Sequence, residues 1–206
     1  MSKSFISDIA FSPEVKKRQE EMGSRETYQK MAERRDWQDT ITEGLESFLA
    51  LRDSFYMASA NNEGQPYIQH RGGPKGFLKV LDEKHLAFAD YSGNRQYISV
   101  GNFDVNNKVH LFLMDYPNRM RIKIWGEIVP QTEEDVTLFE KVSDKDYAAK
   151  VERIIKIKVN AWDVNCPQHI EQRFTVKEFQ PRIQRLEDKI EELEKQLKEF
   201  QDKKSN

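Results

Sequence analysis

The stretch Asp90-Tyr91-Ser92-Gly93-Asn94-Arg95-Gln96-Tyr97-Ile98-Ser99 holds the residue types from which an anion site is made. An apolar run, Leu86-Ala87-Phe88-Ala89, leads into it and reads as a strand. Small polar residues then break the pattern ahead of a segment that can be helical. A strand, a glycine turn and a helix start gather backbone amides, the Asn94 amide and the Arg95 fork in one small volume. Unpaired amides and the helix dipole both favour negative charge there, and a guanidinium can grip phosphate through two bonds. The same composition also fits a solvated turn with a surface arginine.

Two other stretches share this character. His70-Arg71-Gly72-Gly73 ends a strand with a ring, a fixed charge and two glycines that would let a backbone approach a ligand closely. Lys79 interrupts the apolar run Phe77-Leu78-Lys79-Val80-Leu81. Arg71, Lys79 and Arg95 together suit a phosphate monoester, whose charge is about -1.5 to -2 near neutral pH. Strand alternation by itself also accounts for Lys79, and an exposed strand end for His70 and Arg71.

The elements that must carry these residues are short strands with Gly, Pro and Asn between them. Ser54 to Ala60 reads as a strand, Asn61 to Pro66 as a hairpin loop and Tyr67 to His70 as the return. Phe77–Leu81 and His85–Ala89 form a second hairpin around Asp82-Glu83-Lys84. Lys108 to Met114, Arg121 to Val129 and Arg153 to Trp162 complete the set, with a helix over Glu133 to Val142. Six or seven antiparallel strands at this spacing favour a small β-barrel over a parallel sheet, in a mainly β, α+β fold.

Three regions are expected: a helical arm over 1–40, a β domain over 41–178 and a C-terminal helix over 179–206. Ser12-Pro13-Glu14 is a helix start, and Gly23 a helix stop. A second helix begins at Ser24-Arg25-Glu26 and runs through Tyr28, Met31 and Trp37. With few apolar residues, the arm is expected to lie across another surface, such as a partner subunit's. Ile183, Ile190 and Leu197 fall seven apart, as do Leu186, Leu193 and Phe200, with Glu and Lys between them. This spacing suits either a coiled coil across a dimer or an amphipathic helix docked on its own domain.

Several classes are disfavoured. Charged residues make up 33% of the 206, yet the net charge is -2, which argues against binding nucleic acid by neutralising phosphates. Cys166 is the only cysteine, so no intrachain disulfide forms, and a reducing, cytoplasmic setting is expected. Asp8, Glu14, Glu20 and Glu21 break up the N-terminal stretch, which predicts neither a leader peptide nor a membrane helix. There is no G-x-G-x-x-G, Walker A, H-E-x-x-H or G-x-S-x-G. Cys166 and His169 form a C-x-x-H without a second half, so no metal site is assigned.

Read together, these residues resemble a family. Ser54-Phe55-Tyr56-Met57-Ala58, Tyr67 to Pro74, Phe77 to Asp82 and Gly93 to Ser99 are similar to the FMN-binding, split-barrel proteins of the pyridoxamine 5'-phosphate oxidase type. Asp115 to Arg119, Trp125-Gly126 and Trp162 to Ile170 resemble a bacterial subgroup of unsettled substrate. So do Phe11 to Val15 and Gly23-Ser24-Arg25.

The resemblance implies a six-stranded split barrel, a homodimer and FMN in a cleft between subunits. Lys79 stands where the oxidases grip the phosphate. Gly93-Asn94-Arg95-Gln96 stands in place of their Gly-Ser-Arg-Lys loop, one positive charge short. Arg71 or Lys75 is the candidate replacement for that charge, and His70 is grouped with Arg71. Arg121 corresponds to a flavin-contacting Gln, and Trp162, Gln168 and His169 would cover the ring from the other subunit. The oxidases' C-terminal Arg-x-His pair has no counterpart, which argues against vitamin B6 oxidation.

The function implied is FMN-dependent oxidoreduction of a small organic molecule or a nicotinamide nucleotide. The alternatives are a non-enzymatic flavin binder or redox sensor, and a haem-handling relative that would use His169.

Overall fold

The computed structural model describes residues 4–130, 136–165 and 167–204. They fall into two compact units, one of Met1–Asp115 and Met120–Pro167 and one of Tyr116–Arg119 and Gln168–Asn206.

Alternating apolar and polar residues build the sheet of the first unit. Its strands are β1 (Ser54–Ala60), β2 (Pro66–Gly72), β3 (Lys79–Val80), β4 (His85–Tyr91), β5 (Lys108–Asp115), β6 (Met120–Val129) and β7 (Val151–Asn165). All pair antiparallel, in the order β2-β1-β5-β6-β7-β4-β3. The sheet has seven strands, within the six or seven read from the spacing and one more than the resemblance implied. The shortest is β3, since only Lys79 and Val80 pair with β4 while Phe77 and Leu78 turn into the core.

Register fixes which side chains face inward. Arg71 pairs with Phe55 and Leu113 with Ile122, each two residues from the continuous row Gln69, Met57, Leu111 and Ile124 and so on the same face across β2, β1, β5 and β6. Phe55, Leu113 and Ile122 are buried, so Arg71 faces the core as well. One residue along, His70, Tyr56, Phe112 and Lys123 share the outer face.

The sheet is strongly rolled. Strands β2 and β4 are five steps apart in the order, which would separate them by about 24 Å in a flat sheet. Instead Arg71 on β2 bonds Asp90 on β4, and the Phe55 and Phe88 rings meet edge-on at 5.2 Å. Phe55, Phe77, Phe88, Met57, Leu111 and Ile157 fill the space so enclosed.

The helices start where capping chemistry permits. The Ser12 hydroxyl accepts from the Val15 amide at 3.3 Å and Pro13 opens α1 (Pro13–Glu21). Gly23 takes a φ of +73° just beyond its end. The next helix, α2 (Arg25–Arg35), stops before Trp37 because Asp36 turns extended and its carboxylate accepts from the Ile6, Ser7 and Trp37 amides.

Trp37 then stacks on Trp125 at 4.7 Å, with Phe11 against its other side at 5.3 Å. The arm expected to lie on another surface therefore packs on its own sheet. Next come α3 (Glu43–Leu49), α4 (Ile98–Val105) and α5 (Val136–Val142). Residues 131–135, where the last of these was expected to begin, lie outside the described residues.

In the second unit, the Gln172 amide donates to Pro117 O at 2.7 Å, and Arg173 lies over the Tyr116 ring at 4.9 Å. Helix α6 (Val176–Lys204) starts three residues before the expected 179. Thr175 and Glu178 form a capping box: Thr175 Oγ1 accepts from the Glu178 amide at 3.2 Å, and the Glu178 carboxylate accepts from the Thr175 amide at 2.8 Å. Pro181 is the sixth residue of the helix; it lacks the N–H for the Lys177 carbonyl, and its ring crowds that same carbonyl.

No helix among the described residues is long and apolar enough to cross a membrane. Nor does any group of three or more His, Cys, Asp or Glu among them converge as a metal site. Cys166 of the C-x-x-H lies outside the described residues.

Candidate anion-binding site

At one end of the rolled sheet, the loop after β4 runs into α4 through two left-handed residues, Arg95 (φ 58°) and Tyr97 (φ 54°). Asn94 tightens the loop, its side-chain oxygen accepting from the Gln96 amide at 3.2 Å. Tyr97 precedes the first residue of α4 and supplies no side-chain cap, so the first-turn amides keep the partial positive charge of a helix N-terminus.

A cleft of about 170 Å³ opens here, lined by Gln69, Arg71, Asp90, Asn94, Arg95, Tyr97, Ser99 and Glu152 among others. A second cavity of about 180 Å³ shares Gln69, Arg71, Asp90, Tyr91 and Gly93 with it and adds His70, Gly72, Phe77 and Phe88. Arg71 is common to both.

The charges are held in place. Asp90 is 7% exposed and accepts from Arg71; Arg153 approaches its other oxygen at 3.4 Å. Burial pushes the Asp90 carboxyl above its ordinary range, while Arg71 and Arg153 pull it back. Burial also lowers the Arg71 guanidinium against the pull of Asp90. Arg71 Nε is buried without a hydrogen-bond partner.

Glu152 is held below the usual carboxylate range, first by the Ser92 hydroxyl at 2.9 Å and then by Arg153 at 3.1 Å. Arg153 also lies 5.2 Å over the Tyr97 ring. Arg95 is exposed; its Nε donates to the Tyr97 hydroxyl at 3.1 Å, which raises its pKa. On the far side the Ser99 hydroxyl donates to Gln69 at 2.8 Å, tying α4 to β2.

The cleft thus gathers Arg71, Asn94 and Arg95 from the expected set, and the adjoining cavity takes in His70. Gln96 stays in the loop, where it accepts from the Asn94 amide at 3.4 Å. Lys79 stands on β3 opposite Ala87 and lines neither cavity.

Arg121 lies opposite Met114 and Asn165, which places it on the outer face with His70. Its Nε is also buried without a partner. Gln168 and His169 belong to the second unit, with His169 at a φ of 63°.

Trp162 is 7% exposed, donates to Thr40 O at 2.9 Å and pairs its backbone with Gln38. It lines a separate cavity of about 340 Å³ with Met31, Arg35, Trp37 and Asp163. The bare α-carbon of Gly73 has a packing role, since a Cβ there would come within 2.7 Å of the Phe77 ring.

Sequence reading took Asp90 and Ser99 into the candidate stretch without giving either a role, and it missed Glu152 and Arg153. Only Asp90 carried a signal, as the lone acid on the inward face of an apolar strand.

The family model described as pyridoxamine 5'-phosphate oxidase matches residues 41–166. Among solved structures, the chain is similar to an FMN-binding protein from Syntrophomonas wolfei subsp. wolfei. Identity is 14%, covering 71% of this chain and 97% of that one, with a TM-score of 0.49. It is also similar to HupZ from Group A Streptococcus (17% identity, 65% and 99% covered, TM-score 0.44). A third likeness is to a protein related to general stress protein 26, of the pyridoxine phosphate oxidase family, from Clostridium acetobutylicum (15%, 65% and 97%, TM-score 0.39). No curated protein matches the chain.

Proposed function

The chain belongs to the pyridoxamine 5'-phosphate oxidase family, and on that premise we propose that it is a flavoprotein that holds FMN by its phosphate in the cleft at the start of α4. The proposed activity is oxidoreduction of a small organic molecule or a nicotinamide nucleotide. The observation that carries this reading is the convergence of Arg71 and Arg95 on one cleft at a helix N-terminus that lacks a side-chain cap.

The residues fit a phosphate. Arg71 Nε is a buried donor without a partner, and an anion oxygen would satisfy it. Such an orphan costs free energy until it is paired.

The chemistry a bound flavin supplies is two-electron, hydride-equivalent transfer. The protein's part is grip and orientation. Asp90 fixes the Arg71 guanidinium from the core side, and Tyr97 fixes Arg95 through its Nε. Asn94 and the first amides of α4 add neutral donors. Ser92 and Arg153 occupy the Glu152 carboxylate, which would otherwise repel an anion at the rim.

In this reading the rolled sheet is a split barrel, and the flavin ring lies between two copies of the chain. His70 and Arg121 would then meet the ring rather than the phosphate, and Gln168 and His169 are kept as residues that the other subunit would bring to it. Lys79 and Gln96 would approach the phosphate from outside the cleft, whereas Trp162 is assigned to packing.

The test is a titration of the purified protein with FMN, followed by flavin absorbance and fluorescence. Saturable binding is expected, and Arg95→Ala should loosen it on the order of tenfold through one charge-assisted contact. No saturation with the unaltered chain, or an Arg95→Ala variant that binds as well, overturns the assignment. Bleaching of the bound flavin by a reduced donor separates an oxidoreductase from a carrier.

A further inference from the structure

Helix α6 carries a continuous apolar stripe; within the second unit the Phe179 ring meets Phe174 at 5.4 Å and Lys204 lies over the Phe200 ring at 5.3 Å. Along α6, Val176, Ile183, Ile190 and Leu197 recur every seven residues, and Phe179, Leu186, Leu193 and Phe200 follow each of them by three. These eight side chains are 38 to 78% exposed, on a helix of 29 residues that spans about 43 Å. An apolar stripe of that length marks an interaction surface.

The residues flanking the stripe identify the occupant. One flank carries Arg182, Lys189 and Gln196, and the other carries Glu187, Glu194 and Gln201. We propose that α6 pairs with α6 of a second copy of this chain as a parallel, in-register, two-stranded coiled coil.

In that arrangement, each flanking residue meets the one five positions further along the other helix. Arg182 then faces the partner's Glu187, Lys189 faces the partner's Glu194, and Gln196 faces the partner's Gln201. Symmetry doubles every pair. An antiparallel pair instead sets the basic flank against the basic flank and the acidic against the acidic, so the pattern rejects it.

The seam agrees. β-branched Val176, Ile183 and Ile190 alternate with Leu186 and Leu193, and β-branched residues at the first heptad position with Leu at the fourth favour two strands. Pro181 falls at the position pointing away from the seam. In the single chain Lys189 already holds Glu192 of its own helix at 2.6 Å, so pairing redirects an ammonium and buries no new charge. This inference does not rest on flavin binding.

The test uses the full chain with Cys166→Ser, so that an introduced thiol is the only one. Phe179→Cys, Phe200→Cys and Lys195→Cys are made separately and oxidised mildly, and interchain disulfides are read on a non-reducing gel. Phe179→Cys and Phe200→Cys should each link to themselves. Lys195→Cys, at the outermost position, should link about tenfold more slowly.

Adding Glu187→Lys and Glu194→Lys to Phe200→Cys should slow its linkage about tenfold. Mixing that chain with one carrying Phe200→Cys, Arg182→Glu and Lys189→Glu should restore it. The proposal is overturned if Phe200→Cys does not link, if Lys195→Cys links as fast, or if linkage appears only when Phe179→Cys and Phe200→Cys are mixed. The last result would mean an antiparallel pair.

Discussion

Arg71 on β2 and Asp90 on β4 are ion partners although their strands lie five steps apart in the sheet. The pair joins the first strand of the rolled sheet to the last but one and sets the guanidinium at the candidate phosphate cleft. Both side chains are nearly buried, at 11% and 9% exposure, so structure and site depend on the same bond.

Removing one partner therefore has two effects. Arg71→Ala leaves Asp90 buried with only Arg153 nearby at 3.4 Å, and should cost about 3 kcal/mol in urea unfolding. It should also weaken FMN binding more than Arg95→Ala does. A variant that binds less flavin at unchanged stability would show that Arg71 faces only the ligand and that the Asp90 bond carries no structural weight.

Trp162 separates packing from flavin contact. Trp162→Phe keeps a ring but loses the bond to Thr40 O, at a cost of about 1 kcal/mol. FMN affinity should stay unchanged in a titration. A marked loss of affinity at unchanged stability would instead place the indole against the flavin.

A pH effect should come from His110. Burial first, and Lys123 second, push its pKa below the ordinary value; its ring sits 4.7 Å from Trp125. The unfolded chain then takes up the proton at a higher pH than the folded one, near 6.5. The contribution of His110 is complete above that value and is lost as pH falls toward the folded pKa. Urea midpoints measured downward from neutral pH should decline in this window, and His110→Phe should flatten part of the slope. An identical slope in the variant would rule His110 out as its source.

What could be read from the sequence was local. Ser12-Pro13 fixes the start of α1 through one side-chain bond to a near neighbour, and the alternation over Ser54 to Ala60 delimits β1 to the residue. The seat of the anion cleft was legible in Gly93 to Gln96, because a broken strand followed by a helix start is itself a local pattern. The bond that completes the cleft was not. Arg71 and Asp90 meet only because the sheet rolls, which depends on how seven strands pack. Trp37 was likewise assigned to the helix before it, although its partner Trp125 lies far along the chain. The start of α6 lies three residues before the expected 179 because the Thr175-x-x-Glu178 capping box sets it, a signal that the heptad spacing from Ile183 onward does not contain.

Gly126 offers the sharpest test of the sheet's geometry. Between Trp125 and Gly126 the pairing with β7 skips a residue, from Ala161 to Val159, so Asn160 is the extra residue of a bulge. The bulge brings β7 close: a Cβ on Gly126 would sit 2.7 Å from both Ile157 Cγ2 and Lys158 O. The isoleucine can rotate, but the carbonyl cannot retreat without disturbing the β6–β7 ladder. Gly126→Ala should therefore cost about 2 to 3 kcal/mol. Gly101 is the control, because it lies within α4 and a Cβ there meets nothing within 4 Å. Gly101→Ala should be neutral or stabilise by about 0.5 to 1 kcal/mol. Equal unfolding midpoints for the two variants would mean that the strands are further apart at the bulge than described.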